Sequence, residues 1–252
     1  MTQTDLHMHT TFSDGKDTPE DMILSAIQKG LATVGISDHS WTFFDESYCM
    51  PKEKYEEYKS LLHSLREKYA GKIDVRCGIE QDYYSTLTPC GFDHVIGSAH
   101  YICVKDAAGA DIYIPIDDSP EILRKAADSF FDGDMISLAE YYFSIVSDVL
   151  EKTGADIIGH FDLISKFNEG DGLFDSSDER YRAAWKKAAL NLLKYDKPFE
   201  INTGAISRGY RTAPYPSAEM IAFIKENGGR FVLSSDAHAK ENIAYLFDKL
   251  TI

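Results

Sequence analysis

Short apolar runs alternate along the chain with longer segments in which apolar residues recur at helical spacing. A first short strand is expected to end near Leu6, with further strands at residues 32–36, 73–79, 92–97, 155–159, 198–201 and 230–233. Several of these runs carry apolar side chains on consecutive positions, the pattern of strands covered on both faces. The segments between them carry helix punctuation. Thr18 stands as an N-cap before Pro19, Glu20 and Asp21, and Gly30 stops that helix. Further helices are expected at 51–70, closed by Gly71, and at 119–131, 134–153, 178–195 and 217–227. After the fourth strand, residues 101–104 and 112–114 read as an inserted β-hairpin turning through 106–109.

Strand followed by helix, repeated seven times without a linker, internal repeat or low-complexity segment, predicts an α/β fold. One domain over residues 1–252 is expected, with parallel strands inside and helices outside. A closed or nearly closed TIM-like barrel fits this pattern, with an open doubly wound sheet as the alternative. The distinction matters because the C-terminal ends of barrel strands meet on one face, where catalytic residues gather.

Ligand-type side chains stand at those strand ends. His7 and His9 follow the first strand, with Asp14 shortly after. His39 follows the second, Glu80 ends the third, His100 follows the fourth and His160 the fifth. Asp236 and His238 follow the seventh. On a strand, residues i and i+2 share a face, so His7 and His9 can hold one ion. Asp236 and His238 have the same spacing, and Glu80 offers two oxygens that can bridge two ions. Carboxylates among imidazoles suit zinc, iron or manganese. Six histidines and three acids exceed what one ion can use, so two or three divalent metals per chain are expected. Asp14 has a second reading, as the cap of a Ser13-Asp14-Gly15 turn. His63, mid-helix among polar residues, and His94, inside the fourth strand, read as surface or core histidines. The loop over 202–211 carries Arg208 and Arg211, whose guanidinium forks suit a phosphate clamp. Asp162, two residues past His160, could orient that imidazole or bind a cationic part of a substrate.

Composition narrows the partners. With 44% hydrophobic and 27% charged residues the chain is globular in character. A net charge of -15 repels nucleic-acid phosphates and anionic membranes, so neither is an expected partner and a small molecule is. The four cysteines form no C-x-x-C pair, and the first residues lack the basic and apolar regions of a signal peptide. No apolar run approaches the ~20 residues of a membrane helix. A cytoplasmic protein with reduced thiols is the expectation. The oligomeric state is not legible.

The chain carries D-L-H-M-H-T-T-F-S-D-G from Asp5, G-I-S-D-H from Gly35, G-I-E-Q-D-Y from Gly78 and G-S-A-H from Gly97. G-H-F-D from Gly159, E-I-N-T from Glu200, Y-P-S from Tyr215 and S-S-D-A-H from Ser234 follow in order. Together these motifs resemble those of the PHP (polymerase and histidinol phosphatase) family of metal-dependent phosphoesterases, in its histidinol-phosphatase branch. The resemblance implies a distorted (β/α)7 barrel with a trinuclear site. His7, His9, Glu80 and Asp236 would hold one metal, Glu80, His100 and His160 the second, and Asp14, His39 and His238 the third. It also implies cytoplasmic histidine biosynthesis, with L-histidinol phosphate as the substrate.

The expected chemistry is in-line hydrolysis of a small phosphate monoester by metal-activated water, with Glu80, Asp236, His238 and Arg208 as the catalytic group. Arg208 and Arg211 would take the phosphate, while Asp162, Tyr83 and Phe12 would take the amine and imidazole. One rival is a phosphoesterase of nucleotides or short oligonucleotides. Another is an amidohydrolase, which would place a bridging lysine where Glu80 stands. The third is a non-catalytic metal-binding or regulatory barrel, which lost ligands would favour; none is evidently lost.

Overall fold

The computed structural model describes residues 3–250. The chain runs β1 (Thr4–Asp5), α1 (Pro19–Gln28), β2 (Thr33–Ile36), α2 (Tyr55–Lys68), β3 (Asp74–Asp82) and β4 (His94–Ser98). The hairpin β5 (Tyr101–Lys105) and β6 (Asp111–Pro115) comes next, then α3 (Pro120–Phe130), α4 (Met135–Val146) and α5 (Val149–Thr153). The last part holds β7 (Ile157–Ile158), α6 (Glu179–Leu193), β8 (Phe199–Asn202), α7 (Gly204–Ser207), α8 (Ala218–Glu226) and β9 (Phe231–Ser234).

Seven strands form one parallel sheet in the order β1-β2-β3-β4-β7-β8-β9, and β5 and β6 pair apart from it as an antiparallel hairpin. The sheet curls until its first and last strands meet. Met8 bridges Ala237 in parallel, and the His9 amide donates to the Ala237 carbonyl at 2.9 Å. This is the expected distorted seven-stranded barrel, nearly closed. Its seam is short: β1 has two residues, and the Met8–Ala237 bridge stands alone.

Local chemistry explains the element ends. At α1 the capping box forms as the sequence predicts: Thr18 Oγ1 accepts from the Asp21 amide while the Asp21 carboxylate accepts from the Thr18 amide. The helix expected over 134–153 is broken after Val146, where Ser147 and Asp148 form the joint, and α5 then ends at Gly154 in the left-handed conformation, φ 67°. The loop expected after the sixth strand of the sheet contains one helical turn, α7. Asn202 Oδ1 accepts the Gly204 amide at 2.9 Å and turns the chain into it. β3 runs on past Glu80 to Asp82, so Glu80 lies within the strand.

The barrel interior is closed below the mouth by His94. This residue is buried, as a satisfied core histidine: its Nε2 donates to the Leu6 carbonyl at 2.9 Å. The ring lies across β2 and β3 at two glycines. A Cβ at Gly78 would come within 2.2 Å of His94 Cε1, and one at Gly35 within 2.7 Å. The bond to Leu6 anchors the residue next to His7, so this packing fixes the start of the ligand-bearing segment. His63 is exposed on α2, as expected.

Gly78→Ala should therefore overpack the barrel, costing about 1–3 kcal/mol. At this chain length that is roughly 2–4 °C of Tm per kcal/mol. Thermal unfolding beside the unaltered protein checks this, and an unchanged Tm would refute the packing role of His94.

Candidate metal centre

Each parallel strand of the barrel delivers its C-terminal end to the same face. His7 and His9 leave β1, His39 leaves β2, Glu80 lies near the end of β3, His100 follows β4 and His160 follows β7. Asp236 and His238 follow β9. The structure brings all of them together with Asp14. Three groups have donor atoms mutually within 4.8 Å: His7, His9 and Asp236; His39, Glu80 and His100; and His9, Asp14, His39 and His238.

Glu80 is the centre, 1% exposed. Its Oε2 lies 3.3 Å from His7 Nε2, 3.5 Å from His9 Nε2 and 2.8 Å from His39 Nδ1. Its Oε1 lies 2.9 Å from His160 Nε2 and 3.4 Å from His100 Nε2, and accepts from Ser98 Oγ at 2.6 Å. Asp236 Oδ1 is 3.3 Å from His9 Nε2. Metal–ligand bonds of about 2.0–2.2 Å in tetrahedral array put neighbouring donors roughly 3.3–3.6 Å apart, so several of these spacings are those of shared ligands.

Unpartnered atoms test whether a metal fits. Buried polar atoms are normally hydrogen-bonded. Here His7 Nε2, both ring nitrogens of His9, and Glu80 Oε2 are buried without a hydrogen-bond partner. Donors of metal-ligand type left without protons to share are what divalent ions would satisfy, and the residues fit such ions. Electrostatics agree for the acids and for His9. Burial opposes ionising Glu80, but His7, His100 and His39 outweigh it and hold its pKa well below the ordinary range. Asp236 is likewise held down against burial, by Arg208 and His7, and Asp14 by His39 and His238. Burial, with His39 and His238 beside it, pushes His9 well below 6.5 and keeps it neutral. Ionised acids and neutral imidazoles are the forms that bind metals, and His9 already has that form. Burial opposes charge on His7, His39 and His100, but the carboxylates beside them outweigh it and hold all three above 6.5, so ions bound there would displace protons.

Asp14 belongs with the cluster by position: its Oδ2 is 3.3 Å from His238 Nε2. Its loop is held by the buried carboxylate of Asp38, which accepts from Thr10 N and Oγ1, both at 2.7 Å, and from Ser13 Oγ. Asp236 has φ 49°, a left-handed conformation that Asp tolerates better than most residues. It packs on Gly204, where a Cβ would lie 2.6 Å from its Oδ2.

The cluster floors an open pocket of about 430 Å³. Arg208 lines it, but the guanidinium is partly engaged: it donates to the Asp236 carbonyl at 3.0 Å and to Oδ2 at 3.1 Å, and lies 2.7 Å from His238 Nδ1. Four expected substrate contacts lie elsewhere. Phe12 packs edge-on against Tyr58, 5.2 Å between centroids, beside a separate shallow pocket. Tyr83 stands in the turn that follows β3, edge-on to Tyr84 and with Lys152 over its ring. Asp162 accepts from Ser165 Oγ and the Ser217 amide in a second, smaller cavity, and no bond joins it to the His160 imidazole. Arg211 turns into that same cavity, stacked on Tyr215 and bonded to Ser165. In each case tertiary packing, which spacing does not encode, decides the direction.

Other residues escaped the sequence reading. Asp82 accepts from the His100 amide at 3.2 Å and its Nδ1 at 3.1 Å. Glu200 accepts from His7 Nδ1 at 2.7 Å. Both stand in quoted motifs, G-I-E-Q-D-Y and E-I-N-T, but the sequence gives them no role beyond that of an acid in or ending a strand near a ligand. The outer pocket wall carries Asp45, Tyr48, Tyr101, Asp117, Asp118 and Lys166. Lys166 donates to the Asp117 carbonyl at 2.6 Å and to its carboxylate at 3.2 Å.

Comparison with known proteins agrees with this architecture. A Schizosaccharomyces pombe protein named as a probable histidinol-phosphatase is 28% identical over 247 residues, covering 89% of this chain and 76% of its own. A solved Listeria monocytogenes structure assigned as a histidinol phosphatase superposes with a TM-score of 0.80 at 20% identity, covering 99% of this chain and 100% of that one. The histidinol phosphate phosphatase of Lactococcus lactis, solved with zinc, L-histidinol and phosphate, gives 0.68 at 19% identity, with 95% and 87% covered. The PHP domain model matches residues 5–204, most of the barrel and all but two of the converging ligand-type residues, and the chain belongs to the PHP domain family.

Proposed function

We propose that this chain is a metal-dependent phosphomonoesterase whose substrate is L-histidinol phosphate, hydrolysed to L-histidinol and phosphate. The observation that carries the reading is the set of buried, unpartnered donor atoms around Glu80, beneath an open pocket lined by His39, His100, His160, Asp236 and His238. Similarity to proteins named histidinol-phosphatase supports the substrate. His7, His9, Glu80 and Asp236, then Glu80, His100 and His160, then Asp14, His39 and His238, would hold the ions. Two or three divalent metals, of the zinc, iron or manganese type, suit this donor set. When bound, they lower the pKa of water from 15.7 to about 7 and offset charge on phosphate oxygens.

The chain's own side chains account for the rest. Arg208 is partly exposed at the floor and can meet a phosphate oxygen while steadying Asp236. Across the pocket, Asp117 and Asp118 at the end of the hairpin, with Asp45, present negative charge beside the Tyr48 and Tyr101 rings. That wall replaces Asp162, Tyr83 and Phe12 as the place for the amine and imidazole. A dianion at the metal floor and a cation at an acidic, aromatic wall match the two ends of histidinol phosphate. The site needs no long track, in keeping with a net charge of -15 that disfavours oligonucleotides.

Three outcomes follow. Elemental analysis of the purified protein should find more than one transition-metal equivalent per chain, and Glu80→Gln should lose metal and nearly all turnover together; near-normal turnover in that variant refutes the site. In phosphate-release assays, kcat/KM should be higher for L-histidinol phosphate than for adenosine monophosphate or a sugar phosphate, and a preference for either competitor would move the chain to another substrate. Asp117→Asn combined with Asp118→Asn should raise KM for histidinol phosphate about tenfold, the worth of one charged hydrogen bond, and leave KM for para-nitrophenyl phosphate nearly unchanged. Equal effects on both substrates would remove the acidic wall from recognition.

A further inference from the structure

β8 is the one strand of the barrel sheet that sends no ligand-type side chain into the cluster, yet it carries Glu200, fully buried beside it. An imidazole that ligates through one nitrogen needs its other nitrogen held as a donor, because that bond sets the tautomer and the ring direction. His7 points Nε2 at the cluster, 3.3 Å from Glu80 Oε2, and its Nδ1 lies 2.7 Å from Glu200 Oε1. The other oxygen of the same carboxylate accepts the His160 amide at 3.0 Å and Asn202 Nδ2 at 3.1 Å. One buried group thus touches the ligand segments that leave β1 and β7, from the strand beside β7.

We propose that Glu200 is a positioning residue that fixes the tautomer of His7 and the placement of His160 together, so that the ions on the two sides of Glu80 depend on one carboxylate. The proposal rests on the metal-centre reading above. His7 approaches Glu80 at Oε2 and His160 at Oε1, so disturbing Glu200 moves a ligand on each side. Asp82 gives the contrast. It holds only His100, through the amide and Nδ1, and touches no second ligand.

The chemistry of substitution separates the two roles. In Glu200→Gln, the amide oxygen can accept from His7, but the amide NH2 then faces two donors, the His160 N–H and the Asn202 NH2. Turned over, it satisfies those and presents N–H groups to His7 Nδ1, which favours the wrong tautomer. Either way one contact is lost, whereas the carboxylate serves both.

The test uses metal-stripped full-length protein titrated with Zn²⁺ against a competing chelator, with bound zinc counted after equilibrium dialysis. Glu200→Gln should bind two equivalents more weakly, by roughly 10–100-fold, the usual effect of losing such a partner. Asp82→Asn should weaken one equivalent. Nitrogen NMR of the loaded unaltered protein should show His7 protonated at Nδ1. Thermal unfolding in excess chelator reports whether each variant folds. Should Glu200→Gln fail to fold, Glu200→Asp keeps the charge but falls short of both partners and should give the same paired weakening. A folded Glu200 variant that binds zinc as the unaltered protein does, or that loses one equivalent alone, overturns the coupling. If the unaltered protein itself binds at most one equivalent, the metal-centre reading fails first and the coupling with it.

Discussion

A carboxylate in the interior of a barrel is expensive unless opposite charge or bound cations surround it. Glu80 is that carboxylate, and the architecture of the mouth follows from satisfying it. Five histidines reach its two oxygens from four other strand ends. Ser98 adds a hydroxyl hydrogen bond. His7 and His100 are steered from behind by Glu200 and Asp82, which are buried although neither lines the open pocket. The glycines follow from the same crowding: Gly204 makes room for Asp236, and Gly78 and Gly35 for the His94 ring that closes the floor.

Much of this was legible in the sequence, because two periodicities carry it. Consecutive apolar residues gave the parallel strands, and caps such as Thr18 and Gly30 gave the helices between them. Once strands were placed in a barrel, polar residues at their C-terminal ends had to share a face, so the ligand-type residues from His7 to His238 could be named before any geometry. The resemblance to a known family added an expectation of which residues would share an ion.

What stayed hidden depends on direction and distance across the fold. Tyr83 lies one residue past Asp82, yet the chain turns there and its ring meets Tyr84 and Lys152. Asp162 sits two residues past His160, but the chain turns there and its carboxylate meets Ser165 and Ser217 instead. Arg208 and Arg211 look equivalent in one loop. The helical turn between them and Asn202 keeps Arg208 over Asp236 and rotates Arg211 onto Tyr215. The acidic wall could not be found by spacing, because Asp45 and Asp117 meet only through the hairpin and the loop that packs on it.

The seam of the barrel has a mechanical meaning. Its hydrogen-bonded joint is a lone bridge between Met8 and Ala237. Yet His7 and His9 flank that bridge on one side, and Asp236 and His238 on the other. Ions held by both sides would act as a clasp across the gap, doing for the cylinder what a longer ladder of backbone bonds does in other barrels. Cohesion and chemistry would then share one set of atoms: an emptied centre would be a loosened hoop as well as an idle one, and the loosening would begin at the joint between the first strand and the last.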